Sequence, residues 1–400
     1  LLIVIYGTIK TTGAKTANAY LKAGNDAKWW TIGLSVMATQ ASAITFLSTP
    51  GQAYNDGLGF VQFYFGLPIA IVIICMIFIP IYHKLKVYTA YEYLESRFDL
   101  KTRSLTAVLF LVQRSLSAGI TIFAPSIILS TVLGWDLLTL NIIIGSLVII
   151  YTVSGGTKAV NYTQKYQMAV ILVGLVIVLF TTLSLLPENI NFSNAIKIAS
   201  VNSKMEVLNF SFDLENRYTV WSGILGGTFL MMSYFGTDQS QVQRYLSGKS
   251  LKEMQLGMIF NGVFKIPMQF FILFIGVMVF VFYQFNPSPI NFNPQGEEVV
   301  FNTVYQNEYI ELKENLEDNF KEKTLVVNEF LISESQELKD KINNLSEQEQ
   351  YLRDRAKILI VKAAELKKQK IESNDKDYVF IHFILENLPR GLIGLLLAVI

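Results

Sequence analysis

Between Ala38 and Thr45 the sequence sets Thr39, Gln40, Ser42 and Thr45 among small residues inside an otherwise apolar stretch. Residues of this kind suit two jobs. Small and hydroxylated side chains let helices pack closely in a membrane. They also let a membrane helix unwind, and freed carbonyls together with hydroxyls then make an oxygen shell for a hard cation such as Na+. A second such place is Met231 to Arg244, where an apolar run turns abruptly polar after Gly236 through Thr237, Asp238, Gln239, Ser240 and Gln241. Two single cations lie in apolar surroundings. Arg114 suits snorkelling to an aqueous face or gating better than anion binding. Lys265, beside Pro267, reads as an inner-vestibule or gating charge rather than a catalytic amine.

Such residues need elements that hold them in hydrocarbon. The chain has 400 residues, of which 52% are hydrophobic and 16% charged, and its mean hydropathy is +0.39. Residues 286–377 hold 13 basic and 19 acidic side chains, and the other 308 residues hold 20 and 13. Two materials therefore share the chain, one lipid-soluble and one water-soluble, which argues against a soluble enzyme. A span needs roughly 20 mostly apolar residues, and the stretches 29–47, 60–82, 105–133, 137–153, 160–186, 220–234 and 258–285 qualify or nearly do, with another beginning at Phe380. Runs this long without alternation are helices. The division expected is 1–285 for spans, 286–377 for a charged insertion and 378–400 for the start of the next span. Both termini fall in apolar sequence, so the expectation is a chain incomplete at both ends.

The basic connections 10–28, 83–103 and 244–252 fall on one side if each stretch crosses once, and that side should be the cytoplasm. The charged block then lies outside a bacterial inner membrane. From Leu338 the apolar residues Ile342, Leu345, Leu352, Ala356, Leu359, Ala363 and Leu366 follow a heptad seam that Glu349 interrupts,. Ser333 with Gln336 suits a capping box. A projecting helical hairpin or coiled coil is one reading, with docking or self-association through residues 308–372; a solvated single helix without a binding role is the other. Either way the spans should stand without the block.

Enzymatic chemistry has little to rest on. There is no His-Glu-x-x-His, P-loop or Gly-x-Ser-x-Gly pattern, and Gly155-Gly156 reads as a tight turn between spans,. Cys75 is the only cysteine, and His83 and His382 lack ligand spacing,. Two interrupted spans, five spans apart, are the mark of an inverted-repeat transporter, with its solute between the breaks.

The motifs Asn18-Ala-Tyr-Leu-Lys-Ala-Gly24, Ala41-Ser-Ala-Ile-Thr-Phe-Leu-Ser-Thr-Pro-Gly-Gln-Ala-Tyr54, Thr89-Ala-Tyr-Glu-Tyr-Leu-Glu-Ser-Arg-Phe98, Tyr151-Thr-Val-Ser-Gly-Gly156, Asp238-Gln-Ser-Gln-Val-Gln-Arg-Tyr-Leu246 and Leu388-Pro-Arg-Gly-Leu392 occur in order. In these the chain resembles the sodium/solute symporters, carriers of sugars, proline, pantothenate, sialic acid, monocarboxylates and iodide. The resemblance implies an all-α polytopic membrane protein with a LeuT-like inverted repeat, and solute uptake driven by a Na+ gradient. Carried over by position, it implies Na+ on the backbone carbonyls of Ala38 and Ala41, and solute facing Gln40, Ser42 and Thr45. It further implies Tyr234 as a gate aromatic and Lys265 at a lysine position of the family.

The chain departs from the pattern where it reads Tyr162-Thr163-Gln164. Many members carry Asp in place of Gln164, associated in some with a second cation. Thr45 stands where sugar carriers resemble Gln, and the hydroxyls of Ser42 and Thr45 look more like the pattern of carboxylate or anion carriers. The expected partners are the lipid bilayer and a small organic solute, with no nucleic acid. The competing readings are a transporter-like solute sensor or receptor with a partner-binding outer hairpin, and a sodium-independent carrier.

Overall fold

The computed structural model describes residues 16–41, 43–213, 215–369 and 371–399, whose regular elements are all helices, with no strand among them. In chain order the helices are α1 (Ala17–Lys22), α2 (Trp29–Gln40), α3 (Ala43–Asp56), α4 (Leu67–Ile73), α5 (Ile79–Leu85), α6 (Glu92–Arg97), α7 (Leu100–Leu133), α8 (Leu137–Ser184), α9 (Phe192–Val201), α10 (Gly227–Gly236), α11 (Gln239–Leu246) and α12 (Leu251–Phe282). They continue with α13 (Pro294–Val300), α14 (Gln306–Ser333), α15 (Gln336–Leu366), α16 (Lys376–Asn387) and α17 (Arg390–Val399). Among the described residues four helical stretches are long and apolar enough to cross a membrane: Ser48–Leu85, Leu100–Ile127, Tyr166–Ser184 and Leu251–Phe282.

Local sequence explains most of the boundaries. Asp99 and Asp136 cap α7 and α8 by accepting from the backbone amides of Thr102 and Thr139, and Ser250 does the same for α12 from Glu253,. Gly134 ends α7 at φ 68°, a conformation that costs glycine nothing,. Gly156 has φ 57° and bends α8 in two, which realises the turn expected at Gly155-Gly156,. Along α7, Leu105, Leu109 and Leu116 face outward, as side chains solvated by lipid do.

α12 is the central strut. It packs most extensively on α2 and α3, and also on α8. Its apolar residues from Ile272 to Tyr283 share one core with Phe46, Tyr54, Leu175 and Val178. A second core joins Ile32 and Val36 of α2 to Leu67, Ile71 and Ile74, to Phe235 and to Tyr245.

The charged block departs from the sequence reading in being fastened to this body. α14 and α15 form an antiparallel pair, and Val326, Val327, Phe330, Ile342 and Leu345 join the same core as α12. Ser346 donates to Asn202 at 2.9 Å and Lys197 pairs with Glu334. Glu349, the polar interruption of the seam, accepts from Lys323 and from Arg353, each at 3.0 Å. Arg353 also donates to the Pro289 carbonyl at 2.7 Å. The seam's other positions are mostly buried, although Leu366 is exposed. The cap of α15 is Ser335 rather than Ser333, because Glu334 takes the left-handed conformation that ends α14. The stretch from Phe380 is not one helix, since the backbone is extended at Leu388 ahead of Pro389,. α16 instead lies against α3, with Phe380 edge-on to Phe46.

Candidate functional site

The first apolar stretch is broken where the small and hydroxylated residues cluster. α2 ends at Gln40, Ala41 leaves the helix at φ −82° and ψ 75°, and α3 restarts at Ala43. The Ala41 amide still donates to the Met37 carbonyl at 2.8 Å. Thr45 Oγ1 donates to the Gln40 carbonyl at 3.3 Å, so the hydroxyl folds back onto the break. Among the described residues Gln40 Oε1 is enclosed without a partner. Ser42, expected on the solute side, lies outside the described residues. Ala38 sits in the last turn of α2. A cavity of about 10 Å³ borders Ala41 and Thr45, closed by Phe46, Met168, Ile171, Leu175, Met268 and Ile272. That is about the room one water-sized sphere needs.

A hydroxyl and amide network holds α2 just before its break. Ser35 Oγ donates to Asn161 Oδ1 at 2.7 Å and to Gln164 Oε1 at 3.1 Å, and Gln164 Nε2 donates to Thr39 Oγ1 at 3.2 Å. Gln164, noted for its missing charge, therefore works here as a two-way hydrogen-bonding amide. Arg244 donates to Asn161 at 3.2 Å, which extends the network to α11.

The second break falls at Thr237, between α10 and α11. Asp238 caps α11 by accepting from the Ser240 amide at 2.9 Å, and it is ion-paired with Arg114 of α7. The Arg114 guanidinium also lies 5.9 Å from the centroid of the Tyr234 ring. Tyr234 OH accepts from Gln241 Nε2 at 2.7 Å. Arg114 and Tyr234, read separately from sequence, thus belong to one cluster. Asp238, their partner, was legible only as an acid beside the break.

The two broken elements are stapled at one end. The Ala27 amide donates to the Ser247 carbonyl and the Lys249 amide to the Ala27 carbonyl, both at 3.1 Å. Asn25 Nδ2 donates to the Leu246 carbonyl at 2.9 Å. The start of α2 and the end of α11 are in this way one mechanical unit.

Lys265, on α12, is fully buried, and among the described residues its Nζ has no hydrogen-bond partner. The nearest ring is Tyr64, 5.9 Å from Nζ to the centroid. Among the described residues no carboxylate pairs with it. Among the described residues no group of three or more His, Cys, Asp or Glu side chains could hold a metal, and the oxygen donors at the first break are main-chain carbonyls and a hydroxyl, the set a sodium ion takes.

Two breaks inside apolar helices, with α2, α3 and α11 all packed on α12, are the arrangement of discontinuous spans found in membrane carriers,. The chain matches the sodium:solute symporter family over residues 20–320, and it belongs to that family. It is 32% identical to the human sodium/iodide cotransporter over 273 residues, 68% of this chain and 42% of that protein. It is 34% identical to human sodium-coupled monocarboxylate transporter 1 over 261 residues, 65% of this chain and 42% of that one. The chain thus spans about two fifths of the length of the curated relatives it matches. These relatives are transporters rather than enzymes, in line with the missing catalytic motifs. A solved structure of a Na+-coupled sialic acid symporter in a substrate-bound outward-open state is similar over all of this chain and 79% of its own, with TM-score 0.64 and 25% identity. The helical architecture is therefore that of the LeuT-like carriers.

Proposed function

We propose that the protein takes up a small organic anion, a carboxylate, by sodium-coupled symport with alternating access. The observation that carries the reading is Lys265, a buried amine with no counter-charge among the described residues, on the helix that packs against both halves of the broken span. Leaving a charge so placed is costly, and an anionic solute supplies what it lacks. The relatives agree in chemistry, because iodide, monocarboxylates and sialic acid are all anionic.

In this account Na+ binds the main-chain carbonyls of Ala38 and Ala41, and the solute meets Gln40, Ser42 and Thr45. The cavity at the break suits an ion and is too small for an organic solute, so solute enters when the bundle opens. Sodium at the break raises solute affinity, and by linkage the solute raises sodium affinity equally. Tyr234, Arg114 and Asp238 close the cytoplasmic side. The protein sits in a plasma membrane with 286–377 outside, which the basic connections on the opposite side support.

The test is a thermal-shift screen of the purified full-length protein with carboxylates, amino acids and sugars, in Na+ and again in K+. Stabilisation by a carboxylate that requires Na+ is expected. Stabilisation indifferent to Na+, or only by neutral sugars, contradicts the proposal.

A further inference from the structure

We infer that Asn261 and Gln269 read the solute on either side of Lys265, and that the solute is a carboxylate that also carries hydroxyl or amide groups. The inference rests on the anion reading of Lys265 given above. The three residues are spaced by four on α12, so they lie on one helix face. All three are fully buried. Among the described residues both polar atoms of Asn261, both of Gln269 and Nζ of Lys265 are enclosed without a hydrogen-bond partner.

Two glycines set where this stripe lies. A Cβ on Gly257 would collide with Ile32 and the Trp29 carbonyl of α2, and one on Gly276 with the Pro50 carbonyl of α3. Those contacts fix α12 alongside the broken span, running in the same direction. Asn261, Lys265 and Gln269 fall between them, which is the height of the break at Ala41. Met268 and Ile272 of the same helix border the small cavity with Ala41 and Thr45.

A buried amide that pairs neither its donors nor its acceptor is costly, whereas two of them beside a lone amine form a recognition surface once the bundle opens. A halide or an unsubstituted acid would satisfy Lys265 alone. Hydroxyl or amide groups on the acid both give and accept hydrogen bonds, and so would satisfy Asn261 and Gln269 as well. A site built this way rejects the analogue that lacks those groups.

The experiment uses purified full-length protein in Na+ with two six-carbon acids, gluconate and hexanoate, which differ in their hydroxyls. Wild-type protein should bind gluconate at least about tenfold more tightly, the effect of one or two amide hydrogen bonds. Asn261→Leu and Gln269→Leu replace unpartnered amides by apolar groups of similar size, a change that folded proteins tolerate. Each should weaken gluconate binding and bring the ratio of the two affinities toward one. Wild-type protein that shows no preference for gluconate overturns the inference, as does a ratio that survives both substitutions. Lys265→Met separates the two readings. If it binds both acids as before while the amide variants change the ratio, the anion reading fails and the role of the amides stands.

Discussion

Arg114 and Asp238 form an ion pair across 124 positions of sequence. Asp238 is also the residue that restarts the helix after the second break, so a side chain of α7 grips the discontinuity of another span. The Arg114 guanidinium lies near the Tyr234 ring, and Tyr234 is tied in turn to Gln241. One half-buried pair therefore ties α7 to the start of α11 at the second break.

Removing either partner leaves a charge facing a low-dielectric site. Arg114→Ala and Asp238→Ala should each destabilise the protein, and the double variant should lose less than the two together. A double-mutant cycle by thermal or denaturant unfolding should give a coupling of about 1.5–3 kcal/mol. Additive losses would mean that the pair does not hold the break.

Thr45 Oγ1 closes on the Gln40 carbonyl in the present arrangement, and in the proposed cycle it turns to the solute. Thr45→Ala should raise the half-saturation for uptake roughly three- to tenfold, the effect of one hydrogen bond, with membrane expression unchanged. An unaltered half-saturation would remove Thr45 from the solute site.

Burial alone would raise the carboxyl of Glu349, but Lys323 and Arg353 beside it hold it down to about 2 against the usual 4.5. The unfolded chain therefore binds the proton more readily than the folded one. Stability from this triad is complete above about pH 4.5 and falls as the pH drops toward 2. Acid unfolding followed by circular dichroism should show this limb, and Glu349→Gln should flatten it.

Lys204 depends on pH in the same direction, but here the fold favours the neutral form,. Burial lowers its amine to about 8 from the usual 10.5, with Asp56 opposing the shift, and its Nζ donates to the Asn55 carbonyl at the end of α3. The charged form is disfavoured in the fold, so this group's contribution to stability rises between about pH 8 and 10.5. Lys204→Arg stays charged throughout that range and should remove this part of the pH dependence when the two proteins are unfolded side by side.

The breaks were legible because small and polar residues interrupt long apolar runs at Ala38–Thr45 and after Gly236, and the structure bends at Ala41 and Thr237. The turn at Gly156 and the helical pair within the charged block were equally open to periodicity. What the sequence hid were partnerships between distant residues. Nothing local pairs Arg114 with Asp238 or Gln164 with Ser35 and Thr39, and the docking of α14 and α15 depends on exposed-looking residues such as Ser346 finding Asn202. Asn261, Lys265 and Gln269 stand in the sequence at a helical spacing of four. Read singly, Lys265 looks like an isolated charge; the structure shows it as the middle of a buried, unpartnered face of three among the described residues.

The central claim is that an inward sodium gradient drives the entry of an organic anion. Purified full-length protein in liposomes should accumulate a radiolabelled carboxylate above its outside concentration when Na+ is high outside, and accumulation should vanish when K+ replaces Na+ on both sides. Equal uptake in Na+ and K+, never exceeding equilibration, would contradict the account and leave a sodium-independent carrier.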